Sequence, residues 1–570
     1  MDFTSQLCTY RGEIGSLILI LLTVLHVPVI AEATPWPQEA TTTTIRVQER
    51  VHVEEHVRVA KITCDGTLYP EQCISLLSSL PNLASRSVTE MMSIVLNQTV
   101  IEIDLCSCHV SDVKKTHENL AGVEHQALDD CITLFEDTNS ALREIISQFE
   151  ENETGSKPYH NLQTVLSGAM TNVHTCLDSL GYHGGNNLAD KFREKLTRVT
   201  GHVSNSLVML KKVPESTKAT NDEVFPEFGE LQGGFPMWVT KRDRRFVVKD
   251  PKSMSYDCVV ATDGTGKFKS VQAAINSAPD KSKKRFTIYI KAGKYKEQVK
   301  VSKKKMNLML IGDGVGKTII TGSKNVVDGS TTFRSATFAV SGAGFIARDI
   351  TFENTAGPEK HQAVAVRNSA DLSVFYKCSF HGFQDTLYTF SNRQFYRECD
   401  IFGTVDFIFG NAAAVFQKCN LLARKPGEKQ NTLVYTAQGR KDPNQNTGIS
   451  IIDCKVDATR NLAPIKAQYK VYLGRPWKQY SRTVYIKSYL GDLINPKGWL
   501  EWNGNFALNT LYYAEFQNNG PGSNTKNRVK WGGYKVITNQ QEVAKFTVDQ
   551  FIQGNKWLPP TGIPYSAGLS

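Results

Sequence analysis

The chain has 570 residues, 41% of them hydrophobic and 21% charged, with a formal net charge of +10. That length exceeds one ordinary hydrophobic core and points to two domains plus processing segments. None of the twelve cysteines sits in a CxxC pair, which argues against a zinc ribbon and for disulfides. Residues 1–245 carry 21 basic and 32 acidic side chains, whereas residues 246–570 carry 45 and 24. A basic half of this kind favours an anionic partner, whether acidic polysaccharide, anionic lipid or nucleic acid, and the acidic half is able to complement it directly.

From the N-terminus, the one stretch apolar enough to meet a membrane is Ser16 to Ala31. Arg11 precedes it and the small-x-small run Ala31-Glu32-Ala33 follows, so residues 1–33 read as a secretory signal peptide or, if uncleaved, a signal anchor. Residues 34–60 form a spacer. Asn97-Gln98-Thr99 and Asn152-Glu153-Thr154 are glycosylation sequons that suit a secreted chain. Over 61–212 the apolar spacing is helical. Leu128, Ile132, Phe135, Leu142 and Ile146 form one stripe. Leu162, Leu166, Ala169, Val173 and Leu177 form another, with Gly181 as its expected stop. Phe192, Leu196, Val199, Val203 and Leu207 form a third, and Val88, Met92 and Val95 mark an earlier helix. Such stripes are best satisfied in an all-α four-helix bundle. Cys64 and Cys73 precede it; Cys131 and Cys176 lie in its second half.

Residues 213–245 lose all periodicity and hold Pro214, Pro226, Pro236 and Gly233-Gly234, as a linker does. The linker ends in Lys241-Arg242-Asp243-Arg244-Arg245, a basic cluster that suits cleavage by a processing protease at Arg244 and Arg245. From 246 to 570 the pattern changes to short runs rich in Val, Ile, Phe and Thr, broken by Gly and Asn, so this half is all-β. Cys378-Ser379-Phe380, Cys399-Asp400-Ile401 and Cys419-Asn420-Leu421 repeat a Cys-polar-apolar signature at steps of 21 and 20. A period of that size in a β-rich chain predicts a solenoid, and a right-handed parallel β-helix fits better than a sandwich.

A coil of about 21 residues places residues 21 apart on neighbouring coils, about 4.8 Å from each other. Asp385 and Asp406 have that separation, Gln384 precedes the first, and Gln362 lies roughly one coil earlier. Two carboxylates so close resist joint ionisation, so one pKa is expected to rise and the other to stay low, giving an acid and a nucleophile at one pH. An aspartate ladder making turn hydrogen bonds would have the same spacing. Gly316-Lys317-Thr318 resembles the end of a phosphate-binding loop, but the first glycine such a loop requires falls on Ile311. The histidines form no HExxH and the acids no calcium loop, so neither metal nor cofactor is expected.

Five segments then occur in order: Gly293-Lys294-Tyr295-Lys296-Glu297, Gln362-Ala363-Val364-Ala365-Val366, Gln384-Asp385-Thr386-Leu387-Tyr388, Gly403-Thr404-Val405-Asp406-Phe407-Ile408-Phe409-Gly410 and Leu473-Gly474-Arg475-Pro476-Trp477. They resemble the signature blocks of the plant pectin methylesterases, and the resemblance covers about 250–565. The upstream half resembles the pectin methylesterase inhibitor domain, through Thr67-Leu68-Tyr69-Pro70, Asp130-Cys131 and Thr175-Cys176-Leu177. Phe235-Pro236-Met237-Trp238 and Arg244-Arg245 resemble the family's processing region, although Phe246-Val247 stands where leucines are more usual.

The resemblance implies Asp406 as nucleophile on the C6 methyl ester of galacturonate and Asp385 as general acid, then base. It implies Gln384, helped by Gln362, as oxyanion donor, Arg475 as the group that holds Asp406 ionised and faces substrate carboxylates, Trp477 as a sugar-stacking face and Thr332 as a substrate contact. For Tyr388, Phe409 and Trp502, packing and substrate contact weigh equally. It also implies disulfides Cys64–Cys73, Cys131–Cys176 and Cys399–Cys419, although register alone lets Cys399 reach Cys378 equally well. The expected partners are methyl-esterified homogalacturonan, the chain's own inhibitor-like domain and a processing protease, with no nucleic acid. The expected state is a monomer secreted to the cell wall (apoplast). Two rival readings are a pectin-active glycosidase or lyase, which a close carboxylate pair also suits, and a non-catalytic wall-binding or inhibitor protein.

Overall fold

The structure is a computed structural model that describes residues 54–116, 120–151, 159–183, 185–213, 231–232, 235–236 and 255–569. The signal segment, the Asn152 sequon and Arg244-Arg245 lie outside the described residues. The chain divides into two compact units, 1–154 with 172–214 and 155–171 with 215–570.

The helical half has four long helices, Val88–Thr116, Gly122–Glu151, Tyr159–His183 and Gly185–Lys212. Two shorter ones precede them, at 54–64 and Pro70–Ser78, which the apolar spacing did not reveal. Val88–Thr116 begins in a capping box: Ser87 N–H donates to Glu90 Oε2 (2.7 Å) and Glu90 N–H donates to Ser87 Oγ (3.2 Å). Those bonds hold the Glu90 carboxyl below its ordinary pKa. Leu128, Phe135, Leu142, Phe192, Leu196, Val199, Val203 and Leu207 are fully buried, while Ile132 and Leu177 are half-buried at the stripe edges. The helix expected to stop at Gly181 runs on to His183. Cys64 bonds to Cys73 and Cys131 to Cys176; Cys108 is also disulfide-bonded. Asn97 is exposed, on a helix whose apolar face carries Val95, Leu96 and Thr99 inward.

The β half is a parallel β-helix. Three parallel sheets of 11, 8 and 7 strands run its length, and the strands of each sheet pair with the next coil. Successive coils are in register, so like residues stack inside. One inner column runs Ala347, Phe375, Tyr396, Phe416, with Phe375–Tyr396 and Tyr396–Phe416 rings stacked at 5.3 and 4.5 Å, each tilted 8°. The helix Val271–Ser277 closes the first coil, its N–H groups at Val271 and Gln272 received by the Glu297 carboxylate (2.9 and 3.0 Å). The block Gly293–Glu297 therefore serves this cap and a strand, through buried Tyr295. At the other end the buried pair Arg528–Glu515 (2.8 Å) also receives Trp499 Nε1 and Tyr534 Oη, leaving the carboxylate fully satisfied.

The Cys-polar-apolar repeat has a backbone cause. Between the 11- and 8-stranded sheets six successive coils, after the first two, turn through one left-handed residue. Asp349, Lys377, Glu398, Lys418, Asp453 and Lys487 all have φ between 48° and 59°. Each donates its N–H to the coil ahead, as in Lys377 to Arg397 O (3.0 Å) and Lys418 to Ile452 O (3.1 Å). The next residue turns inward, stacking Cys378, Cys399, Cys419 and Cys454 in one buried column. The expected Cys399–Cys419 bridge is not formed, and all four thiols are free. Cys399 Sγ faces the carbonyls of Phe375 and Arg397 (3.3 and 3.4 Å) instead.

A left-handed backbone costs a non-glycine residue roughly 1–2 kcal/mol. Lys418 is exposed. Lys418→Gly is therefore expected to stabilise the β-helix by up to about 1 kcal/mol, and Lys418→Val to destabilise it by a similar amount. Urea midpoints of the two variants, read by tryptophan fluorescence, check the ordering.

Candidate active site

The 7-stranded sheet builds the site. Its outward positions form a register column of Ala339, Arg367, Tyr388, Phe409, Ala437 and Arg475. Asp385 and Asp406 lie just ahead of the strands Leu387–Thr389 and Ile408–Gly410. Both are left-handed, with φ of 62° and 50°, a conformation that aspartate tolerates better than most residues. The pairs Leu387↔Ile408 and Tyr388↔Phe409 fix the 21-residue register, and Asp385 N–H donates to Val405 O (3.1 Å). The two carboxylates are thus one coil apart, at 7% and 5% exposure.

Arg475 meets Asp406 in a bidentate fork, with Nε on Oδ1 at 2.8 Å and the terminal nitrogen on Oδ2 at 2.6 Å. The guanidinium also lies 4.4 Å from the Trp502 ring, which is 38% exposed. Beside it, Tyr388 and Phe409 stack at 4.1 Å, and Trp477 meets both edgewise at 6.5 and 5.9 Å. A Cβ on Gly439 would come within 2.8 Å of the Trp477 ring, so glycine is what lets the indole lie there. Gly410, at φ +132°, turns the chain under the Thr389 carbonyl, where a Cβ would sit at 2.0 Å.

Burial, and then the neighbouring Asp406 charge, push Asp385 well above the ordinary carboxylate pKa, with Arg475 opposing. Burial raises Asp406 as well, against the attraction and hydrogen bonds of the fork. Burial works against the Arg475 charge, but Asp406 outweighs it and raises the guanidinium pKa. Spacing alone predicts one carboxyl low; the structure has both raised, unequally, because both are out of water.

Gln384 is half-buried, its carbonyl accepting Ala363 N–H (3.3 Å). Gln362 falls in register with Phe383 rather than with Gln384, and its Oε1 is buried without a hydrogen-bond partner. Thr332 is half-buried; its carbonyl accepts from Ser335 Oγ (2.8 Å), which in turn receives Val364 N–H (3.1 Å), tying its loop to the Gln362 segment. Two wall residues escaped the sequence reading. Arg367 lies 3.4 Å over the Phe333 ring, and its position 21 before Tyr388 would have revealed it. Arg424 donates to Gly382 O (2.7 Å) and lies 3.9 Å over Phe383, steadying the loop that carries Gln384 and Asp385; no spacing signals it.

Fold and site define a parallel β-helix enzyme with a carboxylate pair in an aromatic cleft. The family described as Pectinesterase matches residues 257–555, and Plant invertase/pectin methylesterase inhibitor matches 59–209. Pectinesterase 1 of Citrus sinensis is 47% identical over 527 residues, covering 90% of this chain and 89% of that protein. Pectinesterase/pectinesterase inhibitor 3 of Arabidopsis thaliana is 45% identical over 542 residues, 90% of each. The solved pectin methylesterase from carrot is 57% identical, covering 55% of this chain and 98% of its own, with a TM-score of 0.55. The chain belongs to the pectinesterase family, carboxylic ester hydrolases acting on pectin, and carries an inhibitor-type domain ahead of the enzyme.

A carboxyl whose folded pKa exceeds its unfolded one binds its proton more tightly when folded. It therefore costs stability as pH rises from the unfolded value towards the folded one, and the cost then stays constant. Asp385→Asn removes that cost. The variant is expected to melt higher than the parent at neutral pH and equally near pH ~3, below the ordinary aspartate pKa; calorimetry at the two pH values checks it.

Proposed function

We propose that Asp406 and Asp385 hydrolyse the C6 methyl esters of homogalacturonan through an aspartyl acyl-enzyme. The observation that carries this is the forked Arg475–Asp406 pair one coil from a carboxyl that stays protonated well above its ordinary range. Asp406 Oδ attacks the ester carbonyl carbon, and the amides of Gln384 and Gln362 donate to the oxygen that gains charge. Since no protein group fixes the Gln362 Oε1 end, that amide is able to turn its N–H to the oxyanion. Asp385 gives its proton to the departing methoxide, which leaves as methanol, and an acyl–Asp406 anhydride remains. The Asp385 carboxylate then takes a proton from water, whose oxygen attacks the anhydride; the galacturonate acid leaves and both aspartates return to their starting states. Trp477 and Thr332 contact the polymer, and Tyr388, Phe409 and Trp502 give the methyl ester an apolar surround.

Asp406→Ala is expected to abolish both turnover and acyl-enzyme formation. Asp385→Asn should lower kcat by about two to four orders of magnitude with substrate binding nearly intact. Arg475→Lys should also be poorly tolerated, because an ammonium cannot supply the fork. Methanol release from pectin measures all three, and substantial release by Asp406→Ala would place the nucleophile elsewhere.

The acidic helical domain restrains the basic enzyme until a protease cuts the 213–245 linker after Arg245, and residues 1–33 direct the chain to the cell wall. Support comes from the opposite charges of the two halves, the inhibitor-family match and the basic cluster ending the linker. Arg244→Ala/Arg245→Ala is expected to yield an uncut and inactive precursor. Normal processing of that variant would refute the site, and full activity of the uncut chain would refute the restraint.

A further inference from the structure

Asp385 and Asp406 each stand three residues after a glycine, Gly382 and Gly403. The strand pairing His381↔Phe402 puts those glycines in register on neighbouring coils. Both occupy turns without slack. A Cβ on Gly382 would come within 2.6 Å of Thr386 Oγ1, and one on Gly403 within 2.1 Å of the Phe407 Cβ. Arg424 directly follows the strand Asn420–Ala423 of the next coil, and it holds both turns at equivalent carbonyls. Its backbone N–H donates to Gly403 O (2.8 Å), and its Nη1 reaches one coil further to donate to Gly382 O (2.7 Å). The guanidinium lies 3.9 Å over the Phe383 ring, so the residue between Gly382 and Gln384 is covered as well. Other bonds here link neighbouring coils only: Thr404 N–H to Phe383 O (2.9 Å), Thr386 Oγ1 to Phe402 O (2.8 Å) and Asp385 N–H to Val405 O (3.1 Å).

We propose that Arg424 is a positioning residue of the reaction: by tying the Gly382 and Gly403 carbonyls together it fixes the distance between Asp385 and Asp406. This rests on the reading of the pair as the ester-cleaving centre. Strand register sets the spacing of the coils, but both aspartates precede their strands, in turns with φ of 62° and 50°. Arg424 supplies the tie that the strands do not. It acts through the backbone rather than through its charge. Burial, Asp406 and Arg475 are what move the Asp385 pKa, and Arg424 is not among them. Glu353, the acid that acts on Arg424, is itself paired with Lys294 (2.7 Å). A planar guanidinium suits this task, since it donates to a carbonyl while lying on a ring. Without it the Gly382–Asp385 turn moves away from Asp406 and water enters between the carboxyls. Misplacing a reacting group by about 1 Å is enough to cost about two orders of magnitude in rate.

The test is a cycle of Arg424→Met and Asp385→Asn in the secreted protein, read by calorimetry and so without catalysis. With Arg424 present, Asp385→Asn raises the melting temperature of the β-helix at neutral pH, because it removes an acid that burial and Asp406 hold protonated. With Arg424→Met the pair is looser and wetter, Asp385 titrates nearer its ordinary range, and the same substitution is expected to give a smaller rise. Near pH ~3 neither background should show a rise. An equal rise in both backgrounds at neutral pH overturns the proposal. Kinetics supply a second readout. Arg424→Met is expected to lower kcat for methanol release about 10- to 100-fold with KM nearly unchanged. It should also move the upper-pH limb of kcat/KM, which follows loss of the Asp385 proton, to lower pH. A lower kcat with that limb unmoved is a general loosening and also overturns the proposal. Should Arg424→Met not fold, Arg424→Lys, which keeps one donor for Gly382 O, enters the same cycle with the same sign and a smaller effect. Asp406→Ala separates the two claims: release of methanol by it defeats the catalytic reading, while the melting cycle judges Arg424 either way.

Discussion

A coil of the solenoid advances by the spacing of one parallel strand, about 4.8 Å, and residues in register are held at that separation whatever their chemistry. For Phe375, Tyr396 and Phe416 this produces ring stacking and a dry core. For Asp385 and Asp406 the same constraint produces conflict, since two carboxylates at that distance and nearly out of water oppose each other's ionisation. The backbone pairs that impose it cannot relax one coil without disturbing the next, so the site settles the conflict in protonation rather than in position. Arg475 takes one side, forking onto Asp406, and leaves Asp385 to carry the proton.

How much of this was legible in the sequence depends on whether the period held. Between Asp385 and Asp406, and between the cysteines at 378, 399 and 419, coils are nearly equal, so both columns followed from counting. Beyond Phe409 they are not: the register passes to Ala437 and then to Arg475, steps of 28 and 38 residues, because long loops interrupt the coils. Arg475 was therefore found only through Leu473-Gly474-Arg475-Pro476-Trp477. Loops also hid Arg424, whose contact with Gly382 spans 42 residues. The ordered blocks mix roles that sequence cannot separate, since Gly293–Glu297 closes the first coil while Gln384-Asp385 faces the cleft. In the cysteine column, counting gave the neighbours correctly, but the expected bridge is not formed, and Cys399 Sγ turns to the Phe375 and Arg397 carbonyls.

The left-handed positions show how one backbone habit serves two ends. At Lys377, Glu398, Lys418 and Asp453 it turns the chain from the 11- to the 8-stranded sheet and keeps successive coils in register. At Asp385 and Asp406 it sits beside buried charge, where the strain is borne by residues whose carboxylates are the reason for their being there. Opposite signs alternate along the first set, from Asp349 to Lys487, so neighbours one coil apart attract. The carboxylate pair breaks that alternation, and it is the pair that needs an arginine.

Charge also bears on what happens after cleavage. Before the reaction, neutral Asp385, ionised Asp406 and Arg475 sum to zero in the site. On the mechanism proposed above, hydrolysis of one ester gives an acid that, once ionised, Arg475, already engaged by both Asp406 oxygens, cannot pair without giving up the fork. A second negative charge in a buried site is unfavourable by several kcal/mol unless it moves to water or to cations. The aromatic walls offer neither. On that mechanism the repulsion that helps keep Asp385 protonated also drives the ionised product from the pair towards water.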